Sequence, residues 1–232
     1  MPSRERAVEV IAEQRVTVGG AVADKPARLV APVDAIEVRG PARAFVSRGG
    51  DKLAAALDRF DVDVDDRRVL DAGASTGGFT DCLLQRGARR VLAVDVGYGQ
   101  LHEKLRADER VDVRDRTNVR TLDAEAIGGA VDLVVADLSF ISLRTVAPAL
   151  LACARPGADL ILLVKPQFEA GRAEASRGRG VIKDPEVQAR VLDEICADLR
   201  ERGANIMGTM ESPITGADGN REFLVHARTA EH

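Results

Sequence analysis

The sequence predicts an α/β fold: a doubly wound, mostly parallel seven-stranded sheet preceded by a small α+β module. Three observations carry this. From Arg48 onward, short apolar runs alternate with amphipathic segments, the βαβ signature of a parallel sheet. A glycine-rich turn, Gly73-Ala74-Ser75-Thr76-Gly77-Gly78, joins the first of those runs to a helix. The last two apolar runs, 204–210 and 222–227, flank Gly216-Ala217-Asp218-Gly219-Asn220 and read as a hairpin, which adds a late antiparallel strand.

In the module, residues 4–13 place Ala7, Val8 and Ile11 on one helical face, with Ser3 positioned as the N-cap. Arg15-Val16-Thr17-Val18 runs into Gly19-Gly20 as a strand entering a tight turn, and Ala35–Val38 reads as a last short strand. About 40 residues bury too little surface to fold comfortably alone. The expected division is therefore a module of residues 1–42 attached to a main domain of residues 43–232.

In the main domain, Asp51 to Phe60 puts Leu53, Leu57 and Phe60 on one side of a helix. Strands are expected at 69–71, 91–96, 111–113, 133–137 and 160–164, and helices near 79–86, 100–106, 143–154 and 185–202. The stretch Gly171–Lys183 lacks apolar periodicity and carries Arg172, Arg177, Arg179 and Lys183. It reads either as a solvated connection or as a loop touching a substrate strand, because it follows the run that ends in Lys165.

Composition narrows the function classes. With a net charge of −4 the chain has no general affinity for phosphate, so any RNA contact must come from local basic patches. No stretch approaches the roughly 20 apolar residues of a membrane span. Met1-Pro2-Ser3-Arg4-Glu5-Arg6 lacks the apolar run of a secretory signal, and a cytoplasmic location is expected. Cys82, Cys153 and Cys196 sit apart in apolar surroundings, as reduced core thiols do. His102, His226 and His232 have no partner at ligand spacing, so no metal site is expected.

The glycine-rich turn opens with a carboxylate, Asp71, and has Ser75 where a dinucleotide turn needs its second glycine. Both features disfavour a pyrophosphate and suit a cationic nucleoside such as S-adenosylmethionine. Asp95, at the end of the next strand, can accept hydrogen bonds from both ribose hydroxyls. Asp137 ends the fourth expected strand at the position of an active-site acid. The following Leu138-Ser139 lacks the Pro-Pro-aromatic pattern of amine methylation, which favours an oxygen nucleophile, and no cysteine stands nearby for carbon-5 pyrimidine chemistry. Lys165, between a buried apolar run and Pro166, is placed to act as a base for a hydroxyl.

Six segments together make the chain resemble the TlyA (hemolysin A) family of ribosomal RNA 2′-O-methyltransferases, with an FtsJ-like catalytic domain. They are Ser47–Leu53, Asp71–Thr80, Asp95–Leu101, Ala136–Leu143, Val164–Glu169 and Gly219–Phe223. The resemblance implies a Rossmann-like methyltransferase domain using S-adenosyl-L-methionine, with ribosomal RNA or ribosomal subunits as partner. It puts the Lys-Asp-Lys-Glu tetrad of these enzymes on Lys52, Asp137, Lys165 and Glu222, with Lys165 as the base. It puts the cofactor on Asp71, Gly73, Ser75, Gly77, Gly78 and Asp95, with Asp115 and Asn118 near the adenine.

The first 40 or so residues resemble an S4-type RNA-binding module, with Arg4, Arg6, Arg15 and Lys25 as phosphate contacts and without the family's usual opening helix. The segment Arg43-Ala44-Phe45-Val46 carries Phe45 where the family often has tryptophan. Two other classes stay open. One is a non-catalytic RNA-binding or ribosome-assembly factor, against which stand four intact tetrad positions. The other is a membrane-active protein, raised only by the hemolysin name and supported by no strongly apolar amphipathic segment.

Overall fold

The computed structural model describes residues 4–12, 14–40, 44–171, 174, 180–216 and 219–231. The chain forms two units, residues 1–43 and 44–232.

In the first unit, helix α1 (Arg4–Ala12) precedes β1 (Val16–Val18), β2 (Ala21–Val22) and β3 (Ile36–Val38), which make an antiparallel sheet in the order β2-β1-β3. Gly19 and Gly20, at φ 57° and 83°, form the two-residue turn between β1 and β2. The small core is Val10, Val16, Val18 and Ala23, with Ile11 packed against it. Here the expected inward face is corrected: Val8 is 41% exposed and Val10 is buried. Ala7, Val10 and Ile11 follow the i, i+3, i+4 spacing of one helical stripe, while Val8 lies about 100° round from Ala7. Ser3 lies outside the described residues.

The second unit is a seven-stranded sheet in the order β6-β5-β4-β7-β8-β10-β9. Its strands are β4 (Arg68–Ala72), β5 (Arg90–Val94), β6 (Val111–Arg114), β7 (Val131–Ala136), β8 (Ala154–Val164), β9 (Ala204–Glu211) and β10 (Phe223–Thr229). β4 to β8 run parallel, and β10 inserts antiparallel between β8 and β9. The helices are α2 (Gly49–Phe60), α3 (Gly78–Gln85), α4 (Glu103–Arg106), α5 (Leu143–Cys153), α6 (Pro166–Glu169) and α7 (Pro185–Glu201).

The alternation of side chains along each strand splits the core in two. Leu70, Leu92, Val134, Leu160 and Leu162 face α5 and α7 through Val146, Leu150, Val191 and Ile195. Val69, Val91, Leu133, Ile161 and Leu163 face the other way, onto Leu53 and Leu57 of α2, Phe79 and Leu83 of α3, and Leu105 of α4. Cys82, Cys153 and Cys196 are buried and unpaired, and burial raises all three thiol pKa values, Cys82 to about 12.

Strand order reverses between β5-β4 and β4-β7, and ligands of such sheets sit in the crevice beyond the strand ends at that reversal. The opposite end of the sheet is closed by Asp159, which accepts from Arg67, His226 and Arg228 at 2.8, 2.9 and 3.0 Å. Burial works against the Asp159 anion, but these three donors outweigh it and hold its pKa well below the usual carboxylate range. No described helix is long and apolar enough to cross a membrane.

Pro166 opens the single turn α6, occupying its first position, where a missing N–H costs nothing. Lys165 itself is extended (φ −112°, ψ 101°), as a residue before proline should be.

Candidate active site

The carboxyl ends of β4, β5, β7 and β8 and the start of β10 share one rim. Pairing of Phe223 with Val164 places Glu222 beside Lys165 where the two strands leave the sheet. Lys52, on the first turns of α2, meets Glu222 in a buried ion pair, Nζ to Oε2 2.5 Å, with the two side chains 10% and 3% exposed. Lys165 Nζ lies 2.6 Å from Asp137 Oδ1, off the hydrogen-bond direction, and donates to Ser139 Oγ at 2.9 Å. Two ion pairs, Lys52–Glu222 and Lys165–Asp137, thus stand on adjoining strand ends.

Beside them lies a cavity of about 320 Å³ lined by Gly73, Ser75, Asp95, Val96, Gln100, Val119, Asp137, Leu138, Ser139 and Phe140. Its size is at the small end of the range for ligand pockets, roughly 300–1,000 Å³. Asp95 accepts from the backbone N–H groups of Ser75 (2.8 Å) and Gly97 (2.7 Å), which aims its carboxylate along the cavity wall. Val96, Val119 and Leu138 supply apolar surface.

Asp71 is fully buried rather than lining the cavity. Thr80 Oγ1 donates to its Oδ2 at 2.6 Å, and Oδ1 has no partner among the described residues. Burial, reinforced by Asp137 and Asp95, raises its pKa to about 7 against the pull of Thr80. Two carboxylates on the cavity wall, Asp95 and Asp137, make it a poor seat for an anion and a good one for a sulfonium nucleoside bearing an amino group.

The glycines of the turn divide in their duties. Gly73 lines the cavity at φ 87°, and a Cβ there would lie 2.5 Å from the Asp137 carbonyl oxygen. Gly77 and Gly78 do not line it. A Cβ on Gly77 would strike Leu105 and Leu101, and one on Gly78 would strike Ser47 and Gly50, so these two let α4 and α2 approach the start of α3.

Asp115 and Asn118 do not line the cavity either. Asp115 accepts from Arg106 (2.7 Å) and the Gly99 N–H (3.2 Å), and Asn118 caps the helical turn 119–121 by accepting from the Arg120 N–H. The next residue, Val119, reaches the cavity in their place. In the first unit, Arg15 Nε donates to the Arg39 carbonyl at 2.7 Å and Lys25 is exposed. The side chains of Arg4 and Arg6, and Arg172, Arg177 and Arg179 as whole residues, lie outside what the structure describes. So does His232, while His102 caps α4 and His226 belongs to the Asp159 cluster. Among the described residues no His, Cys, Asp and Glu side chains gather as a metal site.

Sequence reasoning missed Ser139 and Phe140 as site residues. Phe140 is 91% exposed, holds a left-handed backbone (φ 64°) and stands 5.1 Å from the ring of Phe168. An exposed aromatic in a costly backbone conformation at a cavity mouth is a candidate binding feature. The one available signal was its place three residues beyond Asp137.

Strand order and crevice are those of the Rossmann-like methyltransferases. A family model described as FtsJ-like methyltransferase matches residues 45–229, and the chain belongs to that family, within its TlyA branch. A Mycobacterium tuberculosis relative, named 16S/23S rRNA (cytidine-2′-O)-methyltransferase TlyA, is 51% identical over 98% of this chain and 85% of its own length. A solved hemolysin-named chain from Streptococcus thermophilus superposes with a TM-score of 0.83 at 38% identity, over all of this chain and 84% of that one. The fold extends to the N-methyltransferase NodS of Bradyrhizobium japonicum, solved with S-adenosyl-L-homocysteine (TM-score 0.57, 16% identity, 79% of this chain and 89% of that one).

Proposed function

We propose that this protein transfers a methyl group from S-adenosyl-L-methionine to the 2′-hydroxyl of a cytidine ribose in ribosomal RNA. The observation that carries the reading is the contact of Lys165 with Asp137 and Ser139 at the wall of a carboxylate-lined cavity. The names of the relatives support the substrate class.

The bound cofactor supplies an electrophilic methyl on a cationic sulfur. Asp95 would hold the ribose hydroxyls, Gly73 and Ser75 would run along the nucleoside, and Val96, Val119 and Leu138 would offer apolar surface to the purine. Lys165 Nζ would take the proton of the 2′-hydroxyl as that oxygen accepts the methyl, and the sulfur would depart as the neutral thioether. Asp137 and Ser139 fix the direction of Nζ, and the Lys52–Glu222 pair supports the neighbouring strand end. Positioning dominates: the hydroxyl must sit about 3–3.5 Å from the methyl carbon, in line with the breaking bond.

The first unit is read as an S4-like RNA-binding module delivering the substrate through Lys25, Arg15 and its helix, and the site of action as the cytoplasm, where ribosomal RNA is found. The hemolysin name in the family carries no structural observation in its favour.

Lys165→Ala tests the reading. With ribosomal subunits and radiolabelled methyl donor it is expected to abolish transfer, while calorimetric affinity for S-adenosylhomocysteine stays within about twofold. Retained transfer removes Lys165 from the role of base. Mapping 2′-O-methyl positions on ribosomal RNA after treatment identifies the nucleotide.

A further inference from the structure

Two loops frame the site. One, residues 137–142, leaves β7 and carries Asp137, Ser139 and Phe140; the other, residues 165–169, leaves β8 and carries Lys165 and Phe168. They meet at three successive places. Lys165 contacts Asp137 and Ser139, Phe168 lies against Phe140, and Glu169 binds the residues that open α5.

The third contact is buried. Glu169 Oε1 accepts from the Leu143 N–H at 2.7 Å, and Oε2 accepts from Ser142 Oγ at 2.5 Å. Arg144 closes the knot by donating to the Glu169 carbonyl at 3.0 Å. A carboxylate at a helix start would ordinarily come from the helix's own N-cap. Here Ser142 is that cap, accepting from the Arg144 N–H, and Glu169 reaches in from the other loop as a second acceptor. Burial raises the Glu169 pKa despite these donors, so ionising it in place has a real cost. A residue that served only to end a one-turn helix would not need so buried an anion.

Building on the reading of Lys165 as the base, we propose that Glu169 is a positioning residue for methyl transfer: it fixes the spacing of the two loops, and so the placing of Lys165 against Asp137 and of Phe168 against Phe140. It acts through the loops and not on substrate or cofactor, because it is buried and both carboxylate oxygens are taken by Ser142 and Leu143. Its effect belongs to the transfer step and not to cofactor binding, since Gly73, Ser75 and Asp95 hang from other strands.

Glu169→Gln keeps the shape and one acceptor oxygen but loses the charge and the acceptor that Ser142 uses; Ser142→Ala removes two hydrogen bonds, the one to Glu169 and the cap on the Arg144 N–H. Both are measured beside wild type and Lys165→Ala on whole protein with ribosomal subunits. The readouts are kcat corrected for the folded fraction, KM for RNA, affinity for S-adenosylhomocysteine and the pH profile of kcat.

The expected result for Glu169→Gln is a kcat lower by about ten- to hundredfold, the scale of an ångström-sized misplacement. Cofactor affinity stays within about twofold, and the pH profile is displaced because the surroundings of Nζ have changed. Ser142→Ala follows in the same direction by less, and Glu169→Asp recovers less than Glu169→Gln, since a shorter side chain cannot span the loops. A dead Lys165→Ala beside a Glu169→Gln enzyme with wild-type kcat and pH profile overturns the positioning role. So does a kcat loss that vanishes on correction for folded fraction. An active Lys165→Ala sinks the parent reading instead, whatever Glu169→Gln does.

Discussion

Glu222 leaves β10 directly beside the point where Lys165 leaves β8, because Phe223 is paired with Val164. The antiparallel register of one strand pair therefore links the two ion pairs of the site, although Lys52 and Glu222 are 170 residues apart in the chain.

The Lys52–Glu222 pair is expected to behave as buried pairs do. Removing either partner alone, as in Lys52→Met or Glu222→Gln, strands a charge and should cost about 3–5 kcal/mol. Removing both together should cost less than the sum. Urea unfolding of the two single variants and the double variant closes the cycle, and additive losses would mean that the two side chains do not interact.

Gly73→Ala should damage stability and cofactor affinity together. The added Cβ would press on the Asp137 carbonyl at a backbone φ of 87°, a strain of about 1–3 kcal/mol beyond the loss of left-handed freedom. Parallel urea and calorimetric titrations are the check; an unchanged cofactor affinity would detach the turn from the cavity.

Asp71 should leave a signature in stability against pH. Its folded pKa, about 7, lies above the ordinary unfolded value, so between about pH 4 and 7 the folded state holds more proton than the unfolded state. The Asp71 contribution to stability is then full below that window and falls as pH rises through it. Asp71→Asn should remove that component of the slope and become the relatively more stable protein above pH 7. Denaturation curves at several pH values, with slopes unchanged by the substitution, would refute the assignment.

Phe140→Ala should weaken RNA use while sparing the cofactor. Stacking of a base on an exposed aromatic is worth about 1–3 kcal/mol, so kcat/KM for RNA should fall by roughly five- to 150-fold. Phe140→Gly, which relieves the positive φ, should match it in activity and exceed it in thermal stability. Wild-type kcat/KM in Phe140→Ala would return this side chain to the ordinary surface.

The parallel sheet was legible because its strands are buried on both faces and read as continuous apolar runs, with Leu160 to Val164 the clearest case. The position of Asp95 was legible for a similar reason: a carboxylate directly after Val91-Leu92-Ala93-Val94 can only stand at a strand end. The grouping of Lys52 with Glu222 was not open to periodicity at all. Family resemblance alone joined them, and the register of β8 with β10 brings them to one rim.

What stayed hidden depends on tertiary approach. That Gly77 and Gly78 serve helix packing is invisible until Leu101, Leu105, Ser47 and Gly50 are in place around them. Asp115 and Asn118 lie in the right stretch, yet capping and the Arg106 ion pair claim their side chains, and the hydrophobic neighbour Val119 reaches the cavity. Phe140 had only its place three residues beyond Asp137 to mark it, because a left-handed backbone at a bulky side chain has no local sequence signal. Val8 and Val10 are both plausible on a short helix, and the β-strands of the first unit select Val10.

β10 follows every other strand in the chain but lies inside the sheet, between β8 and β9. During synthesis β8 must therefore wait with a bare hydrogen-bonding edge until the final strand emerges, and Lys52 must wait for its carboxylate partner.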